Sequence, residues 1–279
     1  MLSTISETAE LSAQRVDARA RFCAGLSGGR TRLVRLYQDG AAKIRMPAVF
    51  GDPLEAVLIN TAGGLTGGDR IGWEIEAGPG AAVSVTTQAC EKLYRARSGR
   101  ADVTVRLSAA EGARIAWLPQ ETIVYDRSAF ARRLEVDLAD GAEALIVEAT
   151  VFGRLAMGER VRHAMFHDRW RVRRNGRMIH AEDFFVGPEV EAVLSLPSVT
   201  GGAIAVATVL LVAPDAEMLL PAARETIGDE GGASAWTAGG SGKLLARLIA
   251  RDGYLLRRRL VPLVGLLNGQ AGLPKVWSL

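Results

Sequence analysis

The sequence predicts a mainly β fold, and three observations carry that reading. Apolar residues alternate with polar ones over short runs. Ile71, Trp73 and Ile75, for example, are set against Gly72, Glu74 and Glu76, the period-2 signature of a strand with one buried face. Asn175-Gly176 stands between two such runs, and Asn-Gly favours a type I′ hairpin because both of its positions need positive φ. Helical spacing is confined to the C-terminal half.

Taken in order, residues 1–14 are small and polar and read as a flexible tail ahead of a single domain over residues 15–279. From Ala18 to Val34 the pattern is one of short strands broken at Gly25 and at Gly28-Gly29. A strand from Ala41 to Met46 ends at Pro47, and another from Glu55 to Ile59 runs into a glycine-rich loop. Strands follow at Ile71–Glu76, Ala81–Thr87, Val103–Leu107, Ala113–Leu118 and Leu134–Leu138, with turns at Gly78-Pro79-Gly80, Glu111-Gly112 and Asp140-Gly141. Ala144 to Phe152 is a nearly continuous apolar run, as expected of a strand buried on both faces, interrupted by Glu148.

A two-residue turn at Asn175-Gly176 pairs Arg174 with Arg177, Val172 with Ile179 and Trp170 with Ala181. That register puts Trp170, Val172 and Ile179 toward the core and Arg171, Arg173 and His180 on the other face. A second hairpin, Ala233–Ala238 with Lys243–Ala250, turns through Gly239 to Gly242. Helices are expected over Ala216–Ile227 and Asp252–Asn268. Asp252 caps the second, which carries an apolar stripe of Leu256, Leu260, Leu263, Val264 and Leu267 and is kinked by Pro262. Many short strands with few helices suit a sandwich, a barrel or a solenoid. Periodicity does not choose among them, and no fixed repeat of about 20–50 residues is visible.

Composition narrows the function. The 279 residues are 48% hydrophobic, enough for a sizeable core, and the net charge is only +3. Basic residues are spread rather than blocked and do not interleave with aromatics, so nucleic acid is not an expected partner. The first residues lack the basic and apolar regions of a secretory signal, and no apolar run reaches about 18 residues, so no membrane partner is expected. Cys23 and Cys90 are then reduced thiols, and the expected location is cytoplasmic.

Motifs for catalysis are missing. The three histidines fall in one segment and no G-x-S-x-G elbow exists. Gly239-Gly240-Ser241-Gly242-Lys243 fails as a P-loop, with Thr237 at the first glycine position and Leu244 where Ser or Thr should bind magnesium. His163 and His167 would share a helix face. On an extended chain they stand about 13 Å apart, which favours solvated strand histidines over a metal site.

What remains is the loop Ile59 to Arg70, where Gly63, Gly64, Gly67 and Gly68 precede Asp69. Its spacing is neither G-x-G-x-x-G nor a P-loop, and tight turns between strands would need the same glycines. Three carboxylates are conspicuous: Asp69 closing this loop, Glu148 in its apolar run, and Glu182 after the hairpin. A buried carboxylate needs a partner or a wet cavity, and an ordinary salt bridge would meet that need.

Several stretches together resemble one family. Leu58 to Asp69 is similar to the Pro-Pro-Gly-Gly-x-x-Gly-Gly-Asp signature of the urease accessory protein UreD (UreH) family. Thr86 to Arg95 resembles its Thr-to-Lys-x-Tyr-Arg segment, Trp117-Leu118-Pro119-Gln120-Glu121 its Trp-Leu-Pro-Gln-acid motif, Gly153-Arg154 with Gly158-Glu159 the next, and Leu273 to Ser278 the family's end. The resemblance spans residues 58 to 278 in the family's order. It implies an irregular β-helix-like superhelix of many short strands with two C-terminal helices. It also implies a non-enzymatic scaffold with no tightly bound metal or cofactor, bridging apo-urease to the F-type accessory protein and, through it, to the G-type GTPase. Nickel would be in transit, with Asp69, Glu148 and Glu182 as the candidate passage residues. Two departures stand out. Asn60-Thr61-Ala62 replaces the proline-rich lead-in, which leaves the loop's entry less rigid, and Glu91 places a charge beside Lys92. A β-helical carbohydrate-active enzyme using paired acids, and an interaction module without an ion path, are the rival readings.

Overall fold

The computed structural model describes residues 15–47, 51–154 and 157–278. The expected tail over residues 1–14 lies outside the described residues. Among those described, seventeen strands follow in order: β1 (Asp17–Ser27), β2 (Arg30–Asp39), β3 (Ala42–Arg45), β4 (Leu54–Asn60), β5 (Arg70–Ala77), β6 (Ala82–Thr87), β7 (Glu91–Leu93), β8 (Ala101–Ala109), β9 (Arg114–Leu118), β10 (Thr122–Val124), β11 (Ala129–Leu138), β12 (Glu143–Phe152), β13 (Met165–Arg174), β14 (Arg177–Val186), β15 (Ala205–Val212), β16 (Gly231–Ala238) and β17 (Ser241–Ala250). The helices are α1 (Val190–Ser195), α2 (Leu220–Ile227, preceded by a 3₁₀ turn over Ala216–Leu219) and α3 (Gly253–Asn268).

Two sheets face each other. One runs β14-β13-β11-β8-β5-β1-β2 and the other β16-β17-β15-β12-β9-β6-β4-β3, with β7 and β10 joined to its side. From β4 to β13 the chain alternates between the sheets, and each strand pairs in parallel with its counterpart one coil away. The result is a solenoid-like stack of about 4 turns, the β-helix-like superhelix that the resemblance implied. Ile71, Val103, Arg132 and Asp168 are in-register neighbours up one wall, at unequal sequence separations. That inequality hides the repeat. At the C-terminal end the pairing turns antiparallel, β12-β15-β17-β16, and α2 and α3 cover that sheet's outer face.

Parity explains which side chains go where. In β12 the even positions Ala144 and Ile146 point between the sheets, into a core with Phe22, Leu134 and Phe166. The odd positions Leu145, Val147 and Ala149 point the other way, into a second core under Leu256, Leu260 and Leu263 of α3. Both faces are buried, so the run reads as continuously apolar. Asp252 caps α3, its Oδ1 accepting from the Leu255 amide at 2.8 Å, and the helix continues through Pro262.

Three expectations need correction. β1 runs unbroken through Gly25. Strand β15, all apolar or small, was not anticipated. The third concerns the β13–β14 hairpin, whose turn is as expected, with Arg174 opposite Arg177, but whose register shifts between Val172 and Arg173. Val172 then faces His180 and Trp170 faces Glu182, rather than Ile179 and Ala181. A β-bulge puts an extra residue on one strand and flips the side-chain parity beyond it. Here that extra residue is Ile179, so His180 and Glu182 turn inward instead of outward. His180 is buried, with no partner for Nε2 among the described residues. Burial, followed by the nearby Lys243 and Arg247 charges, pushes its pKa down to about 4.

Candidate functional site

The glycine loop forms a rung of the solenoid. The main chain of Leu65 bonds to the β7 segment, with its amide to Lys92 O at 2.8 Å and its carbonyl to the Tyr94 amide at 2.7 Å. Leu65, Leu93, Val124 and Phe152 stack in register along a third wall, all buried. The glycines allow that close approach. A Cβ on Gly64 would lie 2.3 Å from the Tyr94 ring, and one on Gly67 would lie 2.1 Å from Ser98 O. Gly63 and Gly68 adopt positive φ, 77° and 93°. The entry is held without proline, because Asn60 Oδ1 accepts from the Ala62 amide at 3.0 Å, closing an Asx turn. Asn60 Nδ2 also donates to Glu91.

Asp69 is buried, and both its oxygens are taken by main chain. Oδ1 accepts from the Val16 amide at 3.0 Å and Oδ2 from the Thr66 amide at 2.7 Å. It thus ties the loop to the chain leading into β1.

Glu148 sits in a different setting. It projects from β12 into the space between the sheets, where Arg132 reaches from β11 on the opposite sheet. Arg132 Nη1 lies 2.6 Å from Glu148 Oε2. Its Nε and Nη2 grip Asp168 in a fork at 3.0 and 2.6 Å. Trp117 Nε1 donates to Glu148 Oε1 at 2.8 Å, and Trp170 Nε1 to Asp168 Oδ2 at 3.1 Å. All three charged side chains are buried, so one guanidinium serves two carboxylates. Burial holds the Glu148 carboxyl well above the usual range, and the Asp168 charge adds to that rise. The two acids together hold the Arg132 guanidinium in its charged form against burial.

Glu182, turned inward by the bulge, accepts from Arg247 Nη2 at 2.5 Å. Glu148, Asp168 and Glu182 line one cavity of about 310 Å³, walled by Phe184 and Thr200. Two of the three expected carboxylates, Glu148 and Glu182, are therefore brought together. Asp69 does not line that cavity. Among the described residues no three His, Cys, Asp or Glu side chains stand close enough to hold an ion together. His163 and His167 lie on extended chain and pair with Glu189 and Asp183.

A buried charged layer is weak evidence for stability, since desolvation offsets most of a buried ion pair's attraction. Sequence reasoning missed Asp168 and Arg132, and noted Glu91 only as a charge beside Lys92. Parity could have found the first two, because Asp168 shares the inward phase of Trp170 and Val172, and Arg132 that of Leu134 and Val136. Glu91 lies between the loop and the charged layer and feels both Asp69 and Arg132. Burial pushes its pKa up to about 7.

The family motifs also anchor the C-terminus. Trp277 Nε1 donates to Leu118 O at 3.0 Å and to Thr86 Oγ1 at 3.2 Å. Arg257 of α3 bonds Gln120 and Glu121 of the Trp-Leu-Pro-Gln-Glu stretch, each at 2.8 Å. The stretches that looked alike in sequence thus meet in space.

Comparison with known proteins agrees with this architecture. Residues 16–278 match the family model described as UreD urease accessory protein. The urease accessory protein UreD of Mesorhizobium japonicum is 66% identical over 267 residues, covering 96% of this chain and 95% of the relative. The proteins named urease accessory protein UreD 1 in Brucella abortus and Brucella anthropi are 58% and 56% identical, covering 96% and 100% of each chain. With a family match over nearly its whole length and relatives this similar from end to end, the chain belongs to the UreD family of urease accessory proteins.

Proposed function

We propose that this protein is a non-enzymatic scaffold in urease maturation and that nickel passes through it on the way to the urease active site. The single observation that carries the reading is the cavity lined by Glu148, Asp168 and Glu182. Its donors suit a cation in transit. Carboxylate oxygens are hard, weak nickel ligands beside imidazole or thiolate, and each is already engaged by Arg132 or Arg247. A passing divalent ion would displace a guanidinium and then release the site to it, which keeps residence short. Asp69 would take part only by giving up the Val16 and Thr66 amides. The partners in this reading are apo-urease, the F-type accessory protein and, through it, the G-type GTPase, all in the cytoplasm. No helix of the described residues is long and apolar enough to cross a membrane.

The test is co-expression with urease and its other accessory proteins, with nickel content of the purified urease as the readout. Glu148→Gln with Glu182→Gln is expected to lower nickel loading at least fivefold while the protein still co-purifies with urease. Unchanged loading would sink the passage and leave an interaction module without an ion path. Loss of co-purification would place the fault in assembly. Turnover of a polysaccharide by the pure protein would revive the enzyme reading.

A further inference from the structure

The outer face of the seven-stranded sheet carries a charge pattern that the interior passage does not use. Because β1, β5, β8, β11 and β13 pair in parallel and in register, their outward side chains line up in rows across the sheet. One row reads Arg21, Glu74, Arg106, Glu135, Arg171. Signs alternate along it. Arg106 Nη1 lies 3.1 Å from Glu74, and both Arg21 with Glu74 and Arg106 with Glu135 stand 3.9 Å apart. This row neutralises itself.

The adjacent row does not. It reads Arg19, Gly72, Thr104, Arg133, Arg169, with arginines on either side of a floor of glycine and threonine. Among the described residues no carboxylate stands within 4.0 Å of Arg19, Arg133 or Arg169, nor of Arg35 and Arg70 nearby. Arg19, Arg35, Arg70 and Arg133 line a trough of about 730 Å³, whose lining holds seven arginines against three carboxylates. Tyr37, 55% exposed on the edge strand β2, closes one end.

We propose that this trough is a docking site for an extended, acidic segment of a partner protein lying across the strands. Spacing supports the assignment. Arg19 and Arg133 are three strand intervals apart, about 14 Å at ~4.8 Å each. In an extended peptide, residues i and i+4 project to the same side about 13 Å apart. Two acids four residues apart would therefore meet the two arginines together, each carboxylate accepting the paired N–H groups of one guanidinium. Gly72 leaves the peptide backbone room between them, since a Cβ there would already touch Arg19 Cγ at 3.5 Å. A single exposed ring at one end suits an apolar residue flanking the acids. Single-stranded nucleic acid instead needs a succession of stacking rings.

Fluorescence anisotropy at 0.15 M salt tests this on the full chain. The probes are a labelled twelve-residue peptide with Glu at i and i+4, a peptide of the same composition with the two Glu adjacent, and a labelled twelve-nucleotide single strand of DNA. Wild type is expected to bind the spaced peptide at least tenfold more tightly than Arg19→Glu/Arg133→Glu, and at least threefold more tightly than it binds the adjacent-Glu peptide. Arg32→Glu/Arg177→Glu, with the same change in net charge at exposed sites outside the trough, is expected to bind like wild type. If the first double variant unfolds, Arg19→Gln/Arg133→Gln is read in the same way. No binding by wild type, equal losses in both double variants, or tighter trough-dependent binding of the DNA would each overturn the proposal.

Discussion

The glycine loop and the layer between the sheets both bury carboxylates, and they hold them in opposite ways. Asp69 is held by two main-chain amides, so its partners are fixed wherever the backbone is fixed. Glu148, Asp168 and Glu182 are held by the guanidinium ends of Arg132 and Arg247, cations at the tips of long side chains. An amide that loses its acceptor in a buried loop has nowhere to go. In the passage proposed above, a guanidinium would swing aside and let another cation take its place. The difference separates an acid that shapes the chain from acids that the proposed passage would have exchange partners.

The largest expected effect comes from removing the shared cation. Arg132→Met leaves Glu148 and Asp168 facing each other without a counter-charge, and losing one partner of a buried pair costs about 3–5 kcal/mol. Thermal unfolding at pH 7.5 should show this. A variant as stable as wild type would break the comparison at its interior side. Next in size is Asp69→Ala, which strips the acceptor from two amides and should cost about 2–4 kcal/mol. Hydrogen exchange at Val16 and Thr66 should accelerate with it. Glu182→Gln, by contrast, should change stability by about 1 kcal/mol or less, because Arg247 is 55% exposed and the pair is solvent-screened. If Asp69→Ala proves harmless while Glu182→Gln unfolds the protein, the roles assigned to the two regions are reversed.

Much of this was legible in the sequence, and for identifiable reasons. The Asn175-Gly176 turn, the capped α3 and the double-sided burial of β12 follow from local chemistry, and their residues state it plainly. The solenoid was not legible from periodicity, because its coils differ in length and only the parallel pairing aligns Ile71 with Val103, Arg132 and Asp168. Its shape came from the motif resemblance. Glu182's inward turn was hidden as well. It depends on the bulge at Ile179, and hairpin parity without that bulge sends Glu182 outward. Arg132 and Asp168 were in phase with recognised core residues, yet both are charged, and apolar patterning passes over charged residues. A search for charge in an inward phase would have found the layer.

Glu91 lies between the two regions, and its titration is the sharpest of these tests. Its carboxyl accepts from Asn60 at the loop's entry and feels the opposing charges of Asp69 and Arg132. The ordinary value of 4.5 is pushed up to about 7, chiefly by burial. Between pH 4.5 and 7 the folded state therefore binds more protons than the unfolded state, and this group's contribution to stability falls as pH rises. Buried His180 acts with the opposite sign, its contribution being lost as pH falls from 6.5 toward 4. Comparing wild type with Glu91→Gln at each pH cancels that background. The glutamine keeps an acceptor for Asn60 and never ionises, so the two proteins should match at pH 4.5. At pH 8 the variant should be more stable by on the order of 1–3 kcal/mol, since each tenfold change in proton affinity is worth about 1.4 kcal/mol. Urea midpoints read the difference. A variant less stable than wild type at pH 8 would mean that Glu91 is ionised and held by Arg132. It would then belong with the exchangeable acids of the interior rather than with the fixed one of the loop.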